Sequence, residues 1–357
     1  MGEQPTHTIV RLSDIARAAG VTSATVSYAL SGRDGVSAGT RQRILTIAER
    51  LGYIANRQAA ALRGLRSYIL GVIVTNIKNP FFAEIVCGVE KAAAKRRYRL
   101  MLCVTENNTG DEARHLKMLL EHNVDGLILV PVASDPDGSY ENIKWLRMFC
   151  KRRKPVLCIV DSIPDLKAAS ITTDVYEGTR VLLEHLIQLG HRDIAYFSQP
   201  FARIRKCGRH AAYHDALAKA RIPFRPELLV ETGVTPEEAY EKTGWMLDQG
   251  IRFTAAVYPN DYMAIGGLRK LRERGLRVPE DVSVTGFDDV ELARFCEVPL
   301  TTARFQTRRL GEMAVREMIA SIERGPEPAR GAGLRSIVLR PELIVRESTG
   351  PAPQSKD

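Results

Sequence analysis

Apolar and polar positions fall into two regimes along this chain. Up to about residue 66, apolar residues recur at intervals of three and four, the period of a helix with one buried face. Ile15, Ala16 and Ala19 mark a first helix, with Ser13 as a cap and Gly20 as a stop. Val26, Ala29 and Leu30 mark a second over Thr25–Leu30, capped by Thr22. A third runs from Ser37 or Ala38 to Leu51, with Ile44, Ile47, Ala48 and Leu51 on one face and Gly52 ending it. The gap between the first two forces a sharp turn, and the second is narrow and shows small polar side chains. Such a pair predicts a helix-turn-helix, a motif whose second helix enters the major groove.

From Tyr68 the pattern changes. "YILGVIVT" is a continuous apolar run, as in a strand covered on both faces, and a helix from about Phe82 to Lys95 follows it. "LMLCVT", "GLILVPV", "PVLCIV", "DIAYFSQ", "AAVYPN" and "VSVTGFD" are further strand candidates. Between them lie helical stretches at 115–122, 178–189, 211–220, 236–249 and 261–274. The alternation predicts an α/β fold of doubly wound parallel sheets, two of them.

Charge sharpens the division. Residues 1–66 hold nine arginines against Glu3, Asp14, Asp34 and Glu49, a balance of +5 out of the chain's +9. That concentration points to an anionic partner, nucleic acid foremost, or to a solvated basic surface. The six cysteines show neither C-x-x-C spacing nor pairing with histidines, so no metal site is expected and the chain reads as reduced and cytoplasmic. The N-terminus lacks the apolar run of a signal peptide, and no stretch is long enough to span a membrane. No P-loop, G-x-G-x-x-G after a strand, H-E-x-x-H or nucleophile elbow is present, so neither an enzyme nor a cofactor is expected.

"LSDIARAAGVTSATVSYALSG…VSAGTRQRILTIAERLGYIANRQAAALRG" resembles the DNA-binding headpiece and hinge of the lactose-repressor (LacI) family of bacterial transcription regulators. The resemblance implies that Ser23, Ala24 and Tyr28 read base edges, while Thr22, Thr25 and Ser27 contact phosphates. Hydroxyls and helix N-terminal amides suit phosphate oxygens, which fix register without reading sequence. The segment Asn56–Gly64 is too short to be a stable helix alone. In the family it is a hinge helix that orders on operator DNA, so Asn56 and Arg57 would touch the backbone, Ala59 the groove floor, and Leu62 would wedge into the minor groove. Ala55 departs from the family's proline and loosens the approach to that hinge.

"NPFFAEIVCGVE", "DGLILVP", "EGTRVLLEHLIQLGHRDIAYF", "NDYMAIGGLRKLRERGLRVPEDVSVTGFDD" and "PLTTARF" are similar to the family's effector-binding core, of periplasmic-binding-protein-like type I fold. The implied organisation is a headpiece at 1–54, a hinge at 55–66 and a core at 67–346. The core divides into subdomains at about 67–168 with 302–329 and 169–299 with 330–346, and 347–357 is a flexible tail. Phe81, Phe82, Asp161, Arg203, Arg209, Asn260, Asp288 and Phe305 are the implied effector contacts. Carboxylates and amides suit hydroxyls, guanidinia suit oxyanions, and aromatic rings supply a flat wall. The same residues also have plain readings: Phe81 and Phe82 as core at a helix start, Asp288 as a cap, the arginines as partners of Asp161 or Asp288. Phe305 replaces a glutamine frequent in the family, and cations at Arg203, Arg205, Lys206 and Arg209 favour an acidic effector or are solvated loop charges. The whole implies a homodimer whose grip on a palindromic operator is set allosterically by a sugar, a sugar derivative or a small organic acid.

Overall fold

The computed structural model describes residues 10–31, 34–53, 66–132, 140–163, 166, 168–198, 208–325 and 336–354. The chain divides into two units, the first ending at Ser67 and the second starting at Tyr68. Asn56, Arg57, Ala59 and Leu62 of the expected hinge, and Arg203 of the expected effector contacts, lie outside the described residues.

In the first unit α1 (Leu12–Ala19), α2 (Ser23–Ser31) and α3 (Ala38–Arg50) close around Ile15, Val26, Ala29 and Ile44, all buried. The cap expected at Ser13 is not used. The helix starts one turn position earlier because the Asp14 carboxylate takes the Arg11 amide at 2.8 Å. An acid there also complements the helix dipole. Gly20 ends α1 at φ 63°, the left-handed conformation glycine adopts at no steric cost. Thr22 Oγ1 accepts the Thr25 amide at 3.2 Å, so α2 begins at Ser23, earlier than the apolar stripe alone indicates. Two cations of α3 have structural duties: Arg43 donates to the Ala19 carbonyl at 3.0 Å and Arg41 to that of Ala29 at 3.5 Å.

The second unit holds two parallel sheets. The first is built from β1 (Ile69–Val74), β2 (Arg99–Val104), β3 (Gly126–Leu129), β4 (Val156–Val160), β5 (Ala169–Thr173) and β11 (Ser336–Leu339), in the order β11-β5-β4-β3-β1-β2. The second contains β6 (Ile194–Ser198), β7 (Leu229–Glu231), β8 (Ala255–Val257) and β9 (Ser283–Thr285), in the order β7-β6-β8-β9. An antiparallel pair, β10 (Thr302–Arg304) with β12 (Glu342–Ile344), joins the end of β9 through bridges Thr285–Thr301 and Asp288–Arg304. The helices are α4 (Pro80–Lys95), α5 (Thr109–Glu121), α6 (Ile143–Lys151), α7 (Val175–Gln188), α8 (Gly208–Lys219), α9 (Pro236–Asp248), α10 (Asp261–Glu273), α11 (Leu292–Phe295) and α12 (Thr307–Arg324). Each sheet reverses its winding beside its first strand, with β1 between β2 and β3 and β6 between β7 and β8. Ligands of such sheets sit beyond the carboxyl ends of the strands at that reversal.

Two expectations need correction. Residues 169–173 and 336–339 pair into the first sheet, register Ser336 to Ser170, so the subdomain boundaries expected at 169 and 330 fall after these strands instead. The segment expected as a flexible tail is docked up to residue 354. Ser348 is fully buried, its hydroxyl taking the Thr301 amide at 2.8 Å and its carbonyl the Val284 amide at 2.7 Å. His191 reaches the Gly350 carbonyl at 3.1 Å and His185 the Thr349 hydroxyl at 3.0 Å.

Helices α4 and α12 come into backbone contact where Gly88 and Gly311 face the partner helix. A Cβ on Gly88 would sit 2.3 Å from the Arg308 carbonyl oxygen, so only glycine permits this approach. Among the described residues no helix is long and apolar enough to cross a membrane.

Candidate functional site

Two groups of residues stand apart from the rest by exposure or by buried charge. The first is one face of α2. Val26 and Ala29 point into the headpiece core, which turns Ser23, Ala24 and Tyr28 outward, Tyr28 with 44% of its surface exposed. Thr22 is exposed, and Thr25 and Ser27 are half-buried on its flanks. Thr22 and Thr25 share a hydroxyl hydrogen bond of 2.9 Å besides the cap, which orients both at the helix N-terminus. Acidic side chains are absent from that first turn, leaving the positive end of the dipole uncompensated. The arrangement can present two hydroxyls and a helix N-terminus to phosphate, and one phenol with two small side chains to a groove floor.

The second group lies where the strands of the second unit end. Asn260, after β8, caps α10 by accepting the Met263 amide at 2.8 Å, which leaves its amide nitrogen as the donor for a ligand. Arg209, in the first turn of α8, donates to the Pro259 carbonyl and lies over the Phe287 ring at 4.1 Å. Asp288 follows that ring at φ 116°, a strained conformation for a non-glycine residue. Its backbone is held on both sides, to the Ala303 carbonyl at 2.9 Å and by the Phe305 amide at 3.1 Å. Burial and then the neighbouring Asp261 push its carboxyl well above the usual range, against the pull of Arg209. Asp288 therefore does not cap a helix: the amide of Val290 goes to Asp261.

The aromatic residues group separately. Phe81 packs edge-to-face on Phe82 and on Phe305, centroids 5.0 and 5.3 Å apart, and both Phe81 and Phe305 are buried. Phe82, half-buried, has the accessible ring. Asp161 is exposed at the end of β4, holding the Ser162 amide at 2.7 Å, and follows Val160 at φ 71°.

Sequence reasoning passed over the acids beside Asp288. Asp261 is fully buried, its carboxylate accepting from the Thr302 hydroxyl at 2.6 Å and the Val290 amide at 2.9 Å. Burial pushes its carboxyl up to about 7 in spite of those two bonds. Asp289 is equally enclosed but paired, with Arg304 at 2.7 Å, with Arg346, and with the more exposed Arg294 at 3.5 Å. Glu84 of α4 accepts from Thr307 at 2.5 Å and from the Glu291 amide at 3.4 Å, tying the first sheet's helix to segments of the second. The signal available was the run "GFDD", whose two acids the fold sends to opposite environments.

Asp261 carries a pH dependence. Its folded pKa of about 7 exceeds the ordinary 3.8, so the folded state holds a proton that the unfolded chain has lost. Stability from this group is full below the ordinary value and declines as pH rises toward 7. Asp261→Asn, which keeps an acceptor for Val290 and places a donor toward Thr302, is expected to remove that decline and to raise the urea midpoint relative to the parent at pH 8. Parallel urea curves for the two proteins from pH 5 to 8 would contradict this assignment.

Comparison with known proteins gives a consistent result. A family model described as "Bacterial regulatory proteins, lacI family" matches residues 11–56, and one described as "Periplasmic binding protein-like domain" matches residues 183–349. The chain is 31% identical over 339 residues to the HTH-type transcriptional repressor PurR of Pasteurella multocida, covering 94% of this chain and 98% of the relative. It is 30% identical over 338 residues to the HTH-type transcriptional regulator DegA of Bacillus subtilis, covering 95% and 97%. Among solved structures, the lac repressor dimer bound to operator and the anti-inducer ONPF superposes with a TM-score of 0.80 at 28% identity, covering 96% of this chain and all of that one. The transcriptional regulator CelR in complex with cellobiose gives 0.68 at 27%, covering 95% and 99%.

Proposed function

The chain belongs to the lacI family of bacterial regulatory proteins, a DNA-binding transcriptional repressor with a periplasmic-binding-protein-like core, and from that premise we propose how it recognises DNA and a ligand. It binds a palindromic operator as a homodimer, and a sugar, sugar derivative or small organic acid in the core cleft sets its affinity. The observation that carries the reading is the exposed face of α2, where Ser23, Ala24 and Tyr28 stand opposite the buried Val26 and Ala29. Two-fold symmetry in the protein requires two inverted half-sites in the DNA. The lac repressor relative is itself a dimer on operator.

Asp288, the Asn260 amide and Arg209 make the polar end of the ligand site. Phe82 forms its aromatic side, backed by the buried Phe81 and Phe305, and Asp161 closes it from β4. Arg203 belongs to the same proposal through its place in the family pattern. Ligand binding shifts the two subdomains and with them the hinges, so that Asn56, Arg57, Ala59 and Leu62 order on DNA in one state only. A coupling of about 1–3 kcal/mol, or about 5- to 150-fold in operator affinity, is typical of such linkage. No catalytic step enters this mechanism.

Selection from randomised duplex DNA with the full chain tests the DNA half: enrichment of inverted repeats is expected, and no enrichment would overturn it. Calorimetric titration with neutral sugars, sugar acids and aromatic acids tests the other half. Asp288→Asn is expected to weaken whichever ligand binds by about 3- to 10-fold, the scale of one hydrogen bond. The variant's operator affinity without ligand should stay that of the parent. Equal ligand affinity in parent and variant would remove Asp288 from the site.

A further inference from the structure

A second polar pocket lies where the chain passes between the two sheets. It is lined by Thr173 at the end of β5, Arg304, Phe305 and Gln306 after β10, Arg309 and Met313 of α12, and Leu339 to Pro341 after β11. Only Phe305 is shared with the proposed ligand site. Its volume of about 140 Å³ is several times what one ordered water needs.

Three observations give this pocket a chemistry. First, among the described residues three guanidinia line it and no carboxylate does. Arg304 is largely committed, to Asp289 at 2.7 Å and toward Glu342 at 3.7 Å. Among the described residues Arg309 and Arg340 pair with no carboxylate; Arg309 holds Gln306 Oε1 at 2.8 Å, and Glu177, which faces Arg340, is already gripped by Arg180. Second, the pocket lies at the N-terminus of an 18-residue helix with no acid in its first turn and no side-chain bond from its cap residue Gln306. Arg308 and Arg309 stand in that turn instead, cations at the positive end of the dipole, where an anion belongs. Third, Thr173, which lines the pocket, has an enclosed Oγ1 with no hydrogen-bond partner among the described residues.

We propose that this pocket binds a phosphoryl dianion, either inorganic phosphate or the phosphate group of a small monoester. Arg309 and Arg340 hold it, the α12 amides complete the cradle, and Thr173 donates its hydroxyl. All three crossing segments contribute, so occupancy bears on the geometry of both subdomains. The inference stands whatever the main cleft binds.

Calorimetry on the full chain with potassium phosphate against potassium chloride at equal ionic strength, and with glycerol 3-phosphate against glycerol, tests it. Binding of a phosphoryl probe is expected, weakened at least about tenfold by Arg309→Gln and by Arg340→Gln, the loss of one charge-assisted bond. Tighter binding of glycerol 3-phosphate identifies a monoester as the ligand, tighter binding of phosphate the free ion. Thr173→Val should weaken binding while leaving the melting temperature equal or higher, because it removes an unsatisfied buried hydroxyl. A parent protein indifferent to both probes overturns the proposal. So does an Arg309→Gln/Arg340→Gln double variant that binds as the parent does.

Discussion

Asp289→Asn is expected to lower the unfolding free energy by about 3 kcal/mol or more, the scale of removing one partner from a buried ion pair. The side chain of Asp289 is 1% exposed and that of Arg346 14%, so the guanidinium left behind has little water to turn to. Arg346 keeps its bond to the Leu300 carbonyl at 2.8 Å but loses its counter-charge. Arg304 and Arg294, more exposed at 35% and 54%, lose less. Urea denaturation at pH 7 measures the loss, and a double-mutant cycle with Arg346→Met should place most of the coupling on that pair.

The pH dependence carries a definite sign. Burial alone would raise the Asp289 carboxyl, but the hydrogen bonds from Arg304 and Arg346 hold it below the usual range. Its contribution is therefore present above the ordinary carboxylate pKa and lost as pH falls through the lower folded value. The gap between parent and variant should close in acid, because Asp289 loses its contribution as pH falls whereas Asp261 loses its contribution as pH rises. A gap that stays constant down to acid unfolding would refute the ion-pair account.

Tyr28→Arg is expected to create a guanine preference in the half-site. Much of the family carries arginine at this position, whose fork takes guanine O6 and N7 together, a contact worth about 1–3 kcal/mol against the wrong base. That corresponds to about 5- to 150-fold in relative affinity at one base pair. Tyrosine offers a single hydroxyl and an apolar ring, able to meet a thymine methyl, so the parent should show no such preference. Selection from randomised duplexes with both proteins decides the matter: identical base preferences would take Tyr28 off the base edges.

The headpiece was legible because its apolar period, its cap at Thr22 and its stop at Gly20 agree with the helices formed, although the cap read at Ser13 is not used. The parallel sheets were legible from continuous apolar runs. The connections were not. β5, β7, β10 and β12 read "ASITT", "LVE", "TAR" and "ELI", where polar residues interrupt any continuous apolar run. In α12, "TRRLGEMAVREMIASIER" carries many charges, and Thr307, Gly311 and Ala314 dilute the large apolar residues of its buried stripe, Leu310, Val315, Met318 and Ile319. Of the proposed ligand site, Asn260 and Asp288 came from the family resemblance, and the structure adds that Asn260 spends its oxygen on a cap. The opposite fates of Asp288 and Asp289 depend on Arg304 and Arg346, which are distant in sequence from most of what they touch. No local pattern encodes that pairing.

The docked C-terminal segment has a consequence for biosynthesis. Val284 and Thr301 cannot complete their hydrogen bonds until Ser348 has been made, 47 residues after Thr301. The edge strand at 336–339 arrives almost as late. The headpiece, by contrast, has its whole core within the first 53 residues. Domains fold in order as they are synthesised, so the headpiece of a nascent chain folds long before the core proposed to regulate it, and a ribosome stalled within the core's coding region would carry a headpiece without that control.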